Sequence, residues 1–449
     1  MESTVFDETL NQLRAALENQ RWIDAATIVK SLHPADQAAI YDLLGDDRQE
    51  ALLDHLDPED MAGILGKLDD ASAAELVDEM STDEAIRIID RMEPDDAADL
   101  LGDIDPGKAE AILAGLDDPD EIHPLLIHLD DTAGGLMTSE FLALRRRMTV
   151  DEAINAIRAW EPAAETIFYL FVVDAHGRLS GVVSIRQLII TAANTPLVDI
   201  MNPNVRSVLV GTDEEECAHL MSHYDLLALP VVDQNHTLLG IVTIDDVVDV
   251  LKETATEDIQ RFGGSEPLEG AYLNTRVLTV VRKRVGWLLL LFVTGSLTTT
   301  VLRLFENDLE ALVELAFFVP LLIGTGGNAG SQTTSTIISA LATGEIRPGD
   351  ALRTLWHEIR IGITMGIILA IFAFVRVVVL GVSPAFSVTV AVSIFTIVVW
   401  ANGLGSLLPL LITRLRLDPA AVSAPVMSTL VDATGLLIYF SVARLMLGL

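Results

Sequence analysis

The sequence predicts a multi-domain membrane protein built from a cytoplasmic α-solenoid, a tandem α+β pair, a connecting helix and a five-helix transmembrane bundle in each subunit. Three observations predict it. Charge is divided along the chain, with 56 acidic against 17 basic residues in positions 1–270 and 9 against 12 in the rest of the 449. A 59-residue internal repeat lies between Phe171 and Val248. Finally, charge-free apolar runs cover Val285 to Leu302, Leu315 to Gly344 and Val377 to Thr413, and a bilayer core takes ~20 apolar residues per helix.

From about Phe6 to Ile127 short amphipathic helices begin at Pro34, Pro58, Pro94 and Pro106, each preceded by His, Asp or Glu. Proline at the first helical position loses only an N–H that has no helical partner, and a polar residue before it sits beside the free first turn. Helices this short cannot bury their apolar faces alone, so stacking is expected, in an acidic helical domain over 6–130. The acid surplus repels nucleic acid and anionic headgroups and draws cations; a surface that serves solubility alone is the competing reading. Cys217 is the single cysteine, which excludes an intramolecular disulfide. The N-terminus has neither a basic nor an apolar leader region, so no cleaved signal is expected.

The repeat aligns FVVDAHGRLSGVVSIRQLI from Phe171 with PVVDQNHTLLGIVTIDDVV from Pro230, matching Val172, Asp174 and Gly181 to Val231, Asp233 and Gly240. Each copy reads as strand, polar turn, strand and helix. This resembles the tandem CBS domain pair over 137–253, divided as 137–197 and 198–253. Residues 254–282, ending in LNTRVLTVVRKRV, have helical periodicity and read as a connecting helix between the soluble half and the membrane domain at 283–449.

Division of the last apolar run at Gly381-Val-Ser-Pro384 gives five spans, near 285–304, 314–340, 357–380, 386–412 and 420–443. Arg276, Arg282, Lys283, Arg284, Arg347, Arg353, Arg360, Arg414 and Arg416 fall on one side, against Arg303, Arg376 and Arg444 on the other. The excess of bases places the N-terminal half inside, in the cytoplasm, and the C-terminus outside the inner (cell) membrane.

Asp432 is the only charge between Pro419 and Ala443. A carboxylate at that depth costs at least ~2.5 kcal/mol on insertion scales and usually faces water or a cation. Ser428 and Thr429 lie one turn before it and Gly435 one turn after. PLLIGTGGNAGSQ, from Pro320, brings Gly326, Gly327 and Asn328 into the second span, where its glycines are expected either to break the helix and free carbonyls for an ion or to let helices pack closely. Asn402, followed by Gly403 and Gly405, is a pore-neighbour candidate under the same two readings. GDIDPGKA from Gly102 imitates a phosphate loop but ends in Ala109 where Ser or Thr should hold magnesium, and reads as a helix junction. Cys217, His219 and His223 hint at zinc, without a distant fourth ligand.

DDTAGGLMT from Asp130, the CBS-like repeat, PLLIGTGGNAGSQ, and DPAAVSAP followed by STLVDATGLLIY together resemble the MgtE family of magnesium transporters. The resemblance implies a homodimer with five membrane helices per subunit, no enzymatic activity, and Mg²⁺ as both cargo and regulator. It also implies that Asp432 holds hydrated Mg²⁺ at the dimer axis, and that internal Mg²⁺ closes the gate through Glu59, Asp95, Asp225, Asp246, Asp249, Glu257 and Asp258. Some relatives bind ATP in the CBS pair, for which Thr243 and Asp246 are the nucleotide candidates; the first copy reads Ser184-Ile-Arg-Gln187 and lacks that acid. Transport of Mn²⁺ or Co²⁺, and a membrane-anchored nucleotide sensor, are the competing functions.

Overall fold

A computed structural model describes residues 3–44, 52–53, 55–160, 169–268, 272, 275–415, 417–419 and 424–449. Two compact units emerge, one of residues 1–254 with 269–275 and one of residues 255–268 with 276–449.

The first unit opens with short helices α1 (Ser3–Glu18), α2 (Trp22–Lys30), α3 (Pro34–Asp42), α4 (Pro58–Leu65), α5 (Asp70–Glu79), α6 (Thr82–Ile89), α7 (Pro94–Asp103), α8 (Pro106–Leu113) and α9 (Pro119–Ile122). All four expected prolines stand in the first turn. Asp57, Asp69 and Asp105 cap their helices by accepting backbone N–H groups at about 3 Å. Alternate helices touch, α4 on α6, α5 on α7 and α6 on α8, around buried Ile64, Val77, Ile88 and Ile112.

Two three-stranded sheets follow, β1 (Ala143–Arg145), β2 (Tyr169–Val173) and β3 (Leu179–Ser184), then β4 (Val208–Leu209), β5 (Ala228–Val232) and β6 (Leu238–Thr243), each with its first pair parallel and its second antiparallel. Helices α10 (Val150–Ala159) and α11 (Ile185–Ile190) belong to the first copy, α12 (Glu214–Tyr224) and α13 (Ile244–Phe262) to the second. The repeat is structural down to its irregularities, because Val172 pairs with Gly181 and Val231 with Gly240 next to equivalent register shifts. Both glycines are needed where they stand: a Cβ would lie 2.8 Å from Met201 Sδ at Gly181 and 2.7 Å from Met137 Sδ at Gly240. Asp174 and Asp233 each accept two turn N–H groups, which hold both carboxyls below the usual range.

One expectation is corrected here. Residues 254–282 are not a single connecting helix: α13 already starts at Ile244 and ends at Phe262, and the LNTRVLTVVRKRV periodicity belongs to the start of α14 (Val277–Leu304). Gly263 and Gly264, the latter at φ 78°, end α13 because only glycine adopts that left-handed turn without steric cost.

The second unit continues with α15 (Glu306–Ala311), α16 (Glu314–Ala342), α17 (Ala351–Val379), α18 (Pro384–Arg414) and α19 (Ala424–Leu447). Among the described residues four helices, α14, α17, α18 and α19, are long and apolar enough to cross a membrane. Helix α16 is 29 residues long, but its glycines, serines and threonines dilute its hydropathy. It packs on α18 and α19. The expected helix break at its glycines does not occur, since α16 is continuous through Gly324–Gly330.

Candidate ion pathway and acidic sites

The glycines of α16 serve close approach. A Cβ at Gly326 would stand 2.6 Å from Ile397 and 2.9 Å from Val431, and one at Gly330 would stand 2.9 Å from Met427. Helix α19 therefore lies directly on the small-residue face of α16. Helix α18 is held by a further device. Pro409 cannot donate to the carbonyl of Gly405 one turn earlier, and that carbonyl instead accepts the Thr334 hydroxyl of α16 at 3.3 Å.

Asp432 sits on the α16–α19 contact. A Cβ at Gly327 would be 3.5 Å from Asp432 Oδ1 and 3.3 Å from Ser428 Oγ. Ser428 in turn lies 3.3 Å from Ser331, whose hydroxyl donates to Ala424 O at 3.2 Å. Among the described residues the half-buried Asp432 has neither a hydrogen bond nor an ion pair. The fold thus brings Gly327, Ser428 and Asp432 together. Gly326 and Gly435 both pack on Ile397, Asn328 is exposed, and Asn402 lies elsewhere, against Gly362 of α17.

At the far end of α19, Arg444 donates to Asp308 of α15 at 2.7 Å and lies 4.5 Å over the Phe305 ring. Tyr439 donates to Leu315 O at 3.1 Å. These contacts tie α19 to the short α15 helix and to the start of α16.

The soluble acids fall into distinct groups. Asp95 is 7 % exposed, and its Oδ1 has no hydrogen-bond partner among the described residues. Burial, then Asp246, Asp96 and Glu93, push its pKa well above the ordinary value. Burial, aided by Asp245, also raises Asp246 against the pull of the Thr243 hydroxyl bonded to it. Two residues that sequence reasoning missed complete this group. Asp96 is raised to about 6, mainly by burial, and its carboxylate lies against Gly66, where a Cβ would meet Oδ2. Burial disfavours the charge of Lys67, yet Asp96, Asp246, Glu93 and Asp245 around it keep its pKa above the usual lysine value. The EPDD and IDD runs were the available signal; nothing local showed that they converge on Lys67.

Other regulatory candidates stand apart from this group. Glu59 and Asp225 are exposed, and Asp225 ends α12 in a left-handed conformation. Asp249 lies 3.9 Å from Lys252. Glu257 pairs with Arg261 at 2.7 Å, and Arg261 reaches Asp418 at 3.1 Å, a partner not expected from sequence. Asp258 is raised by burial and by Asp418. Among the described residues no three His, Cys, Asp or Glu side chains converge as a ready metal-ligand set. Cys217 is buried, with its thiol pushed up to about 12, and no zinc constellation forms with His219 and His223. The GDIDPGKA run is a helix junction: Asp105 caps α8, and Lys108 Nζ donates to the carbonyls of Val77, Asp78 and Met80 at the end of α5.

In the first α+β copy Ser184 and Gln187 form a closed capping box, and Gln187 also donates to Ile200 O at 3.2 Å. In the second, the Thr243 hydroxyl is engaged by both Asp245 and Asp246. A cleft of about 680 Å³ beside the first copy is lined by Ile185, Arg186, Gln187, Ile189, Ile190 and Leu227, among others.

Four helices long and apolar enough to cross a membrane among the described residues, in one chain with an acidic helical region and two matching α+β copies, define a membrane protein with a regulatory soluble half. Comparison with known proteins agrees. Residues 319–442 match the family profile described as Divalent cation transporter, residues 32–124 the MgtE intracellular N domain, and residues 133–193 and 197–253 the CBS domain. The chain is 46 % identical to the magnesium transporter MgtE of Thermus thermophilus over 73 % of its own length and 72 % of the relative's. It is 34 % identical to that of Enterococcus faecalis over the same shares. The crystal structure of the cytosolic domain of an Mg²⁺ channel MgtE in complex with ATP is similar over 54 % of this chain and 99 % of that one, with 37 % identity and a TM-score of 0.51. The soluble part of a magnesium transporter covers 56 % and 99 %, with 34 % identity and a TM-score of 0.50. The chain belongs to the MgtE family, whose members are transporters and not enzymes.

Proposed function

We propose that this chain conducts Mg²⁺ across the cell membrane as a homodimer with five spans per subunit, α16 included, its N-terminal domains in the cytoplasm and its C-terminus outside. The observation that carries the reading is Asp432, an acid without a partner among the described residues at the α16–α19 contact, where Gly327 leaves the space before it free of side chain. Mg²⁺ dehydrates reluctantly and is commonly held by one or two carboxylates with waters retained. Asp432 from two subunits would supply that charge, and the membrane potential would drive entry with about 2.3 kcal/mol per elementary charge per 100 mV.

The same ion on the cytoplasmic side is proposed to close the gate. Asp95 and Asp246 would hold it, because Asp95 Oδ1 is buried without a hydrogen bond among the described residues and Asp246 is the nearby acid that acts on it most strongly. A divalent cation there would neutralise acids that otherwise repel. ATP fits this chain poorly. At the motif position the first copy has Gln187, locked in its capping box, and in the second copy Asp246 is turned to Thr243 and the acidic group, so neither offers a free carboxylate for a ribose.

The test is Mg²⁺ flux into proteoliposomes holding the full chain, with low and then high Mg²⁺ on the cytoplasmic face. Flux that is lost in Asp432→Ala, and that falls as internal Mg²⁺ rises, supports the reading. Full flux in that variant refutes the Asp432 assignment; faster entry of Mn²⁺ or Co²⁺ would make magnesium the wrong cargo.

A further inference from the structure

One face of α17 changes character along its length. Arg353, Trp356, His357 and Arg360 recur at the i, i+3, i+4, i+7 spacing that places side chains on one side of a helix. All four are exposed, Trp356 at 62 %. Arg360 donates to His357 Nδ1 at 3.2 Å, and neither arginine has an ion pair among the described residues. Glu358, the one acid of α17, is turned inward at 7 % exposure, where it interacts with His357 and with Thr333 of α16. Beyond Arg360 the same face carries Ile363, Ile367, Ile371, Phe374 and Val378, each between 37 % and 59 % exposed.

The basic part of this face runs about 10 Å along the helix at the helical rise. The apolar part runs about 22 Å, enough to follow an acyl chain past the middle of a ~30 Å hydrocarbon core. Tryptophan favours the boundary between headgroups and hydrocarbon. Two guanidinium forks with no carboxylate partner match the paired oxygens of a phosphate diester. Positions 1–270, with 56 acids against 17 bases, repel an anionic headgroup, so the charge that attracts one has to come from the membrane unit. Continuity of the bases with the apolar track selects a lipid over a soluble phosphate, which would leave Trp356 and the isoleucines unused.

We propose that Arg353, Trp356 and Arg360 bind the phosphate diester of an anionic glycerophospholipid, with its acyl chain along Ile363, Ile367 and Ile371 and with His357 holding Arg360 in place. The site rests on α17 crossing the bilayer and is independent of which ion moves.

The test is native mass spectrometry of the full chain, delipidated in detergent and titrated with phosphatidylglycerol, phosphatidylcholine or glycerol 3-phosphate. Saturable binding of phosphatidylglycerol about tenfold tighter than of phosphatidylcholine, brought near parity in Arg353→Gln/Arg360→Gln and kept in Arg414→Gln, supports the site. No preference in the unaltered chain overturns it, as do an unchanged preference in the double variant, an equal loss in Arg414→Gln, or displacement of the lipid by equimolar glycerol 3-phosphate. Spontaneous disulfide dimers of Trp356→Cys, in a chain whose one other cysteine is buried, would put a second copy on this face and also overturn the proposal. Should the double variant fail to assemble, Arg353→Gln decides: a weaker preference supports the site and an unchanged one refutes it. A chain that moved no magnesium would leave each of these outcomes as it is.

Discussion

Arg444 and Asp308, 136 positions apart, meet at 2.7 Å, with the Asp308 side chain only 8 % exposed and the Arg444 side chain 48 %. The pair anchors the end of α19, the helix that carries Asp432, to α15. Removal of Arg444 leaves a buried carboxylate with no base. Arg444→Ala is expected to cost about 1–3 kcal/mol, less than a fully buried pair because the arginine is half exposed. Thermal unfolding in detergent would show it, and a double-mutant cycle with Asp308→Asn should give a coupling of the same sign. Additive effects would mean the two side chains act separately.

Thr334 repairs the carbonyl that Pro409 leaves free on Gly405. Thr334→Val keeps the shape and deletes the donor, so a loss of about 1–3 kcal/mol is expected from the unsatisfied buried acceptor. Gly405→Ala should be worse, since its Cβ would lie 2.7 Å from the Gly330 carbonyl oxygen. Equal unfolding midpoints for the two variants would contradict the helix-contact account.

Gly327 tests the conduction reading by size. Its missing Cβ would lie 3.3 Å from Ser428 Oγ and 3.5 Å from Asp432 Oδ1. Gly327→Ala should assemble with reduced flux, and Gly327→Leu should assemble poorly or conduct nothing. Normal flux in Gly327→Leu would move the ion path away from this face.

Acid pairing in the soluble unit predicts a pH dependence. Burial, then neighbouring acids, raise Asp99 to about 8 and Glu214 to about 7; burial raises Asp96 to about 6 despite Lys67. Each binds its proton more tightly folded than unfolded. Their contribution to stability is complete below the ordinary values of 3.8 and 4.5 and is lost as pH rises through about 6 to 8. Without divalent ions, the melting midpoint of the soluble unit, read within the full chain, should therefore fall over that interval, and added Mg²⁺ should recover part of the loss at the upper end. A midpoint that climbs with pH would show that other groups dominate.

Lys67 is the cation beside Asp96, Asp246, Glu93 and Asp245. Lys67→Gln removes its charge and should shift Mg²⁺-dependent protection from proteolysis to severalfold lower Mg²⁺. A shift to higher Mg²⁺ would mean the lysine helps to form the site.

The repeat copies, the proline-started helices and the long apolar helices were legible because each rests on local rules: a fixed φ at proline, a two-residue period in strands, and hydropathy over a helix length. Asp432 was legible for the same reason, as a lone charge in an apolar run. Gly326, Gly327 and Gly330 were legible as small residues, but whether they would break α16 or pack it was not, because that depends on Val431, Met427 and Ile397 arriving from other helices. Tertiary structure alone set Asp96 and Lys67 beside Asp246 and joined Asp418 to Arg261. Burial and charge coupling depend on distances between residues remote in sequence, and no local pattern encodes those distances.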